Sequence, residues 1–373
     1  MTKVCMLVTN PCINDARVLK EAASLSKEGH ELVIWGISDN GTPASENKNG
    51  FVIKRINRKK KRNTLLGKLA YSSQFIYHSI KENADVYHAH DLSTLLECYI
   101  ASKWKGSKVV YDSHELYIRD FDNKKNYKNL YFYLEHLLIN RVNLVITVNS
   151  LIARELQQRY KLKNLPSVIM NCPPLSNSDN GKVNAELKSK YDGKKVIVFQ
   201  GVIREGLGLR NLIRSFAYLN DEYNLLVLGD GPILDELIDL TRQLSLDQKI
   251  YFTGKIPHEE LLSYTKIAHL GVIYPEEYNL SHYYMAPNKF FEYIHANIPV
   301  LAPDYPFLKE NISKYEIGLL TDNEDPEDFA RCITEFFSDR KKYEKMRENT
   351  EVAKNSLNWE SEEKKLSELY HNL

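Results

Sequence analysis

The chain has 373 residues, 43% of them hydrophobic and 27% charged, with a net charge of +1; this is too long for one ordinary α/β domain, suits two, and excludes a largely disordered polypeptide. Five scattered cysteines, Cys5, Cys12, Cys98, Cys172 and Cys332, show no CxxC spacing, which favours a reducing compartment over a disulfide or zinc scaffold. The first apolar run is too short for a signal peptide and no 18-residue apolar stretch follows, so a cytoplasmic protein that does not span a membrane is expected, with no nucleic-acid partner.

Taken in chain order, short apolar runs alternate with amphipathic helical stretches, the pattern of βαβ units and parallel sheets. Val4–Val8 reads as the first strand, Asp15–Lys27 as a helix ending at Gly29, and Glu31–Trp35 as the second strand. Further strands are predicted at 52–53, 86–88, 109–111, 144–147 and 167–169. The turn-rich, apolar-poor stretch around Cys172-Pro173-Pro174 then marks a linker. Alternation restarts with strands at 196–199, 224–228, 250–252, 270–273, 300–301 and 318–320, and a polar helical tail runs from about Asp325. The domains predicted are 1–172, a linker at 173–184, a second domain at 185–355, and a tail at 356–373 packing back on the first. Residues 1–172 hold 26 Lys and Arg against 16 Asp and Glu, a balance of +10, leaving −9 for the remainder. The two halves therefore face different partners or each other.

In open α/β sheets ligands bind beyond the carboxyl ends of strands. There, Phe199 to Leu209 runs from a strand through Gly201, Gly206 and Gly208 into a helix, with Arg204 inside the loop. Glycines permit close backbone approach, a helix start offers free N–H groups, and the arginine adds charge, which together suit a pyrophosphate. A tight turn with a surface arginine is the alternative. The first loop, Asn10-Pro11-Cys12-Ile13-Asn14, lacks glycine, which speaks against a nicotinamide or flavin cofactor. In Pro287-Asn288-Lys289-Phe290-Phe291-Glu292-Tyr293 the proline suits a helix start and places Lys289 and Glu292 on one face. The pair is either a solvated salt bridge or, with Glu292 among apolar residues, a carboxylate for two ribose hydroxyls.

This run with Pro299-Val300-Leu301-Ala302 resembles the donor-site motif of retaining glycosyltransferases of family 4, which have the GT-B fold. Also similar to that family, and in its order, are 15–22, 85–91, 111–115 and 226–232. The resemblance covers roughly residues 1–320 and implies two Rossmann-like domains facing each other across a cleft. It implies a nucleotide diphosphate sugar as donor substrate, a UDP-sugar above all, no cofactor, no metal, and a saccharide or lipid-linked acceptor in surface glycan synthesis. Glu292 would hold the ribose, Arg204 and Lys289 the diphosphate, and His114 would lie near the sugar. Gly201, Gly206, Asn288, Ile256 and Tyr284 would complete the donor side; Asp15, Arg17 and His90 belong to the acceptor side.

The sequence departs from the family in three places. Tyr284 stands where the family often has a second glutamate, with seven residues between it and Glu292. Leu207 stands where a cation is usual, leaving Arg204, with Arg210 as a candidate substitute, to supply that charge. The first loop lacks its glycine pair. His88 and His90 close a strand with no third metal ligand evident nearby and read as satisfied strand-end histidines. Asp120-Phe121-Asp122 reads as surface loop. The basic run 54–62, followed by a helix bearing Leu69, Phe75 and Tyr77, reads either as a solvated loop or as contact with an anionic membrane at its inner face. Rival functions are a sugar-nucleotide epimerase of the same architecture and a non-catalytic sugar-binding protein.

Overall fold

The computed structural model describes the chain except residues 40, 58–64, 117–125, 176–184, 275–279 and 322–324. Its contacts divide it into two units, Met1–Asn171 with Glu362–Leu373, and Cys172–Ser361. The basic residues 58–62, the Asp120-Phe121-Asp122 run and most of the expected linker thus lie outside the described residues.

In unit 1 the elements run β1 (Lys3–Leu7), α1 (Ala16–Lys27), β2 (Glu31–Ile37), β3 (Ser45–Lys48), β4 (Phe51–Ile56), α2 (Leu65–Glu82), β5 (Val86–His90) and α3 (Leu92–Lys105). They continue with β6 (Lys108–Ser113), α4 (Asn126–Leu138), β7 (Leu144–Thr147), α5 (Ser150–Tyr160) and β8 (Ser167–Val168). The sheet order is β3-β4-β2-β1-β5-β6-β7-β8, parallel except for the antiparallel β3–β4 pair. β1 and β5 are buried at almost every position, as strands covered on both faces must be. α1 starts where the Asp15 carboxylate accepts from Val18 N and satisfies a free helix-end donor.

Unit 2 comprises α6 (Ala185–Lys190), β9 (Lys195–Gln200), α7 (Leu209–Ser215), β10 (Tyr223–Leu228), α8 (Leu234–Gln243), β11 (Ile250–Phe252), α9 (His258–Thr265) and β12 (Leu270–Val272). Then follow α10 (Leu280–Tyr283), α11 (Asn288–His295), β13 (Val300–Ala302), α12 (Pro306–Tyr315), β14 (Gly318–Leu320), α13 (Pro326–Ser338) and α14 (Arg340–Lys354). The sheet order is β11-β10-β9-β12-β13-β14, all parallel. Its core packs Ile197 and Phe199 of β9, Leu225 and Val227 of β10, and Leu212 and Phe216 against Phe329 and Ile333 of α13.

The last helix, α15 (Trp359–His371), begins in unit 2 and ends in unit 1. On unit 1 its Tyr370 hydroxyl lies 2.7 Å from His88 Nδ1, and Glu362 accepts from Met170 N at 2.9 Å. Among the described residues no helix is long and apolar enough to cross a membrane.

Both sheets reverse direction of strand order once, between β1 and β5 in unit 1 and between β9 and β12 in unit 2. Neighbouring strands there send their following loops apart, opening a crevice at the carboxyl ends.

Candidate functional site

In unit 2 the β9–β12 ladder stops at Gly271, paired with Val198. Beyond it the Tyr293 hydroxyl sits between the strands, 3.3 Å from Gln200 N and 3.2 Å from Val272 O. Its ring needs Gly271 beneath it, since a Cβ there would lie 2.3 Å from the ring. The loop after β9 is equally tight. Gly208 has φ +71° and a Cβ would meet the Tyr274 carbonyl at 1.7 Å; Ile203 N donates to Asp230 O at 2.9 Å, joining this loop to the one after β10.

α11 presents the candidate donor-binding side chains. With only eight residues it would not persist alone. Phe290, Phe291, Tyr293 and Ile294 are buried, each worth about 1.5–3 kcal/mol for large apolar side chains, and this packing fixes which way Lys289 and Glu292 point. Glu292 accepts from Gln200 Nε2. Gln200 Oε1 in turn lies 2.7 Å from the Thr265 hydroxyl, so the amide is oriented with its nitrogen toward the carboxylate. No motif points to Gln200 or Thr265 in the sequence; the one available signal is a polar residue, Gln200, closing an apolar strand directly before Gly201.

Lys289 Nζ stands 3.6 Å from the centroid of the Phe199 ring and close to the Gly201 backbone. Burial draws its pKa down to about 7, with Glu292 opposing the shift and Arg204 adding to it. Arg204 is exposed, as are Gly201 and Asn288, whereas Gly206, Ile256 and Tyr284 are half-buried. Tyr284 packs edge-on to Tyr283. Arg210 does not replace the cation missing at Leu207. It is bound by Glu205 at 2.5 Å and Glu236 at 2.6 Å, so its charge is neutralised within the protein, and Leu207 packs on the core.

In unit 1 the loop after β1 meets the first turn of α3 at the Thr9 and Ser93 hydroxyls, 3.1 Å apart. Asp91 follows β5 with φ +63°, a costly conformation for a non-glycine residue. Its carboxylate accepts from His114 N at 3.1 Å and lies 3.3 Å from His114 Nδ1, while Asp112 lies 2.9 Å from His114 Nε2. Burial alone would lower the His114 pKa, but the two carboxylates hold it well above the usual histidine value. Both ring N–H groups are therefore committed to aspartates.

Arg17, 3% exposed, donates to both Asp112 oxygens at 2.7 Å and to Ile169 O at 2.6 Å. The guanidinium of this acceptor-side residue is thus an internal brace of unit 1. Asp15 is likewise engaged, capping α1 and accepting from Asn10 Nδ2 at 2.7 Å. His90 is 1% exposed, with Nδ1 3.3 Å from His114 Nε2. The reading of His88 and His90 as satisfied histidines without a third ligand is also corrected. Among the described residues their Nε2 atoms have no hydrogen-bond partner, and Glu21 of α1 joins them.

Two of the seven cations in 54–62 are paired within unit 1 as well. Lys54 pairs with Glu82 at 2.7 Å, and the buried Arg55 binds Glu46 and donates to Pro11 O at 2.7 Å.

The family described as Glycosyltransferase Family 4 matches residues 16–173, and the one described as Glycosyl transferases group 1 matches residues 183–352. A relative, the alpha-monoglucosyldiacylglycerol synthase of Streptococcus pneumoniae, is 28% identical over 198 residues, half of this chain and 43% of its own length. The chain spans less than half the length of the curated relatives it matches. Among solved structures, sucrose-phosphate synthase from Thermosynechococcus elongatus superposes with a TM-score of 0.79 at 15% identity, covering 100% of this chain and 99% of that one. Anabaena HepE in complex with UDP and glucose gives 0.76 at 16% identity, with both chains covered completely. Together the family matches run over most of both units, and the protein belongs to the glycosyltransferases of family 4, with the two Rossmann-like α/β domains of the GT-B fold.

Proposed function

We propose that the protein transfers a hexose from a nucleotide diphosphate sugar, a UDP-sugar, to a saccharide or lipid-linked acceptor, with retention at the anomeric carbon. The observation that carries this is the trio around the β9–β12 crevice: Glu292 held by Gln200, with Lys289 and Arg204 close enough for the arginine to lower the lysine's pKa. A carboxylate accepts from both ribose hydroxyls, and two cations face the diphosphate. Negative charge grows on that diphosphate as the glycosidic bond breaks, so fixed cations lower the barrier. Gly201 and Gly206 allow the backbone close to it, and Asn288, Ile256 and Tyr284 complete the donor surface. Having both N–H groups engaged, His114 would act as a fixed positive charge, not as a proton carrier; Asp15, Arg17 and His90 support the acceptor side from within unit 1.

The UDP reading draws support from the nucleotide named with HepE, and the lipid-linked acceptor from the diacylglycerol named with the pneumococcal relative. Transfer needs no metal at the diphosphate because the lysine and arginine occupy that role. A thermal-shift panel of UDP-, GDP-, ADP- and dTDP-sugars, run with and without magnesium, tests both points. A ligand that binds only the folded state raises the melting temperature by mass action. The UDP-sugars should shift it most, equally with and without the ion. A larger shift with another nucleotide, or one that requires magnesium, contradicts the proposal.

A further inference from the structure

His88 and His90 are two residues apart on β5 and so emerge on one face of the sheet. Their rings stack with centroids 4.3 Å apart. Each has one nitrogen already engaged: His88 Nδ1 lies 2.7 Å from the Tyr370 hydroxyl, and His90 Nδ1 lies 3.3 Å from His114 Nε2 and 3.4 Å from Asp112. α1 lays Glu21 over the pair, with Oε2 3.7 Å from His88 Nε2. Glu21 and His88 are 0% exposed and His90 is 1%, yet among the described residues both Glu21 oxygens and both histidine Nε2 atoms lack a hydrogen-bond partner. Buried polar atoms left in that state are rare and costly.

The charges nearby sharpen the question of what fills this place. Arg17 and His114 are balanced by Asp112 and Asp91 through direct contacts. Arg17 Nε also approaches Glu21 Oε1 at 3.1 Å, but it is already bidentate on Asp112. An ionised Glu21 would therefore be a buried negative charge in excess of the cations. Two imidazole nitrogens and one carboxylate, each histidine steadied through its other nitrogen, are the donor set of a borderline-soft divalent ion.

We propose that Glu21, His88 and His90 bind one divalent transition-metal ion of the zinc type, with Asp112, whose ligand atom lies within 4.8 Å of theirs, close to the remaining coordination position. The ion balances the Glu21 carboxylate, and it ties α1 to β5 and, through His88 and Tyr370, to α15. The site lies wholly within unit 1, stands independently of the donor reading, and adds nothing to the chemistry at the diphosphate.

The test is metal content of full-length protein purified without a metal-affinity step, followed by zinc and cobalt titration of chelator-treated protein. The expected results are about one zinc per chain, the visible bands of four-coordinate cobalt with nitrogen and oxygen ligands, and a melting temperature that falls on chelation and recovers with zinc. Glu21→Gln and His88→Gln should each weaken zinc binding at least tenfold, whereas Tyr370→Phe should retain one equivalent. Metal-free protein whose melting temperature is indifferent to zinc, or shifts equally in wild type and both variants, means that only water fills the cluster and overturns the proposal. Should either variant fail to fold, the cobalt spectrum of the wild type decides.

Discussion

Lys289 carries a titration that the proposed donor chemistry can expose. Withdrawn from solvent above the Phe199 ring, with Arg204 nearby, its amine has a pKa of about 7. In the free protein it is charged below that pH and increasingly neutral above it. A bound diphosphate favours the charged form, so donor binding above pH 7 takes up a proton. Affinity for a UDP-sugar, whose diphosphate diester does not titrate in this range, should fall with rising pH by up to about tenfold per unit. Calorimetry in buffers of different ionisation enthalpy should register the uptake. Lys289→Arg, permanently charged, should remove the dependence. A wild-type affinity flat from about pH 6.5 to 8.5, with no proton uptake, would place Lys289 away from the diphosphate.

Among the elements, the loop from β9 to α7 is the one in which a single atom matters most. At Gly208 both the positive φ and the approach to the Tyr274 carbonyl forbid a side chain. Gly193 offers a control: its φ is +73°, but a Cβ there meets nothing within 4 Å. Gly193→Ala should cost about 1–2 kcal/mol, the left-handed conformation alone. Gly208→Ala adds the clash, an overpacking cost of about 1–3 kcal/mol more, and should also weaken donor binding by moving the loop. Denaturant melts of the two variants measure this, and equal losses would mean that the loop relaxes freely.

The elements also separate what sequence pattern alone discloses from what packing creates. The strands at 144–147, 250–252 and 318–320 fall where alternation places them, because each is a short apolar run bounded by polar and turn-forming residues. α11 is legible from the proline and the apolar pattern behind it. β3 is absent from the predicted strands, although Asn49-Gly50, with φ of +48° and +88°, is a strong two-residue hairpin signal. The network of Gln200 with Thr265, and that of Glu21 with His88 and His90, join residues 65 and 67 positions apart. Only tertiary packing creates such pairs, and no local spacing records them. Arg210 fails as a substitute cation for a related reason: its partners Glu205 and Glu236 lie on different elements.

At the scale of the molecule, residues 1–172 carry a balance of +10. With Lys54 and Arg55 engaged internally, the candidates for a partner in this segment reduce to Arg58, Lys59, Lys60, Lys61 and Arg62. Each basic residue near an anionic membrane contributes about 1 kcal/mol, enough together to hold the protein at such a surface. α2, which follows, exposes Leu69 and Tyr77. The protein should sediment with anionic vesicles at low salt and be released at high salt, since the attraction acts over about one Debye length. Neutralising residues 58–62 should abolish both effects and leave transfer to a soluble acceptor intact. Equal binding to neutral and anionic vesicles, or none to either, would reduce the segment to a solvated loop.

The activity of the whole molecule turns on whether the crevice side of unit 2 binds a nucleotide diphosphate sugar through Glu292. The most direct measurement is calorimetric titration of a UDP-sugar into wild type and Glu292→Gln, with folding of the variant checked by its melting curve. An amide accepts through only one of its two terminal atoms, so one ribose hydroxyl loses a charged acceptor, at a cost of about 1.5–3 kcal/mol. Affinity should be about 10- to 150-fold weaker in the variant. Unchanged affinity in a folded Glu292→Gln protein, or no binding of any nucleotide sugar to the wild type, would contradict the proposed donor site.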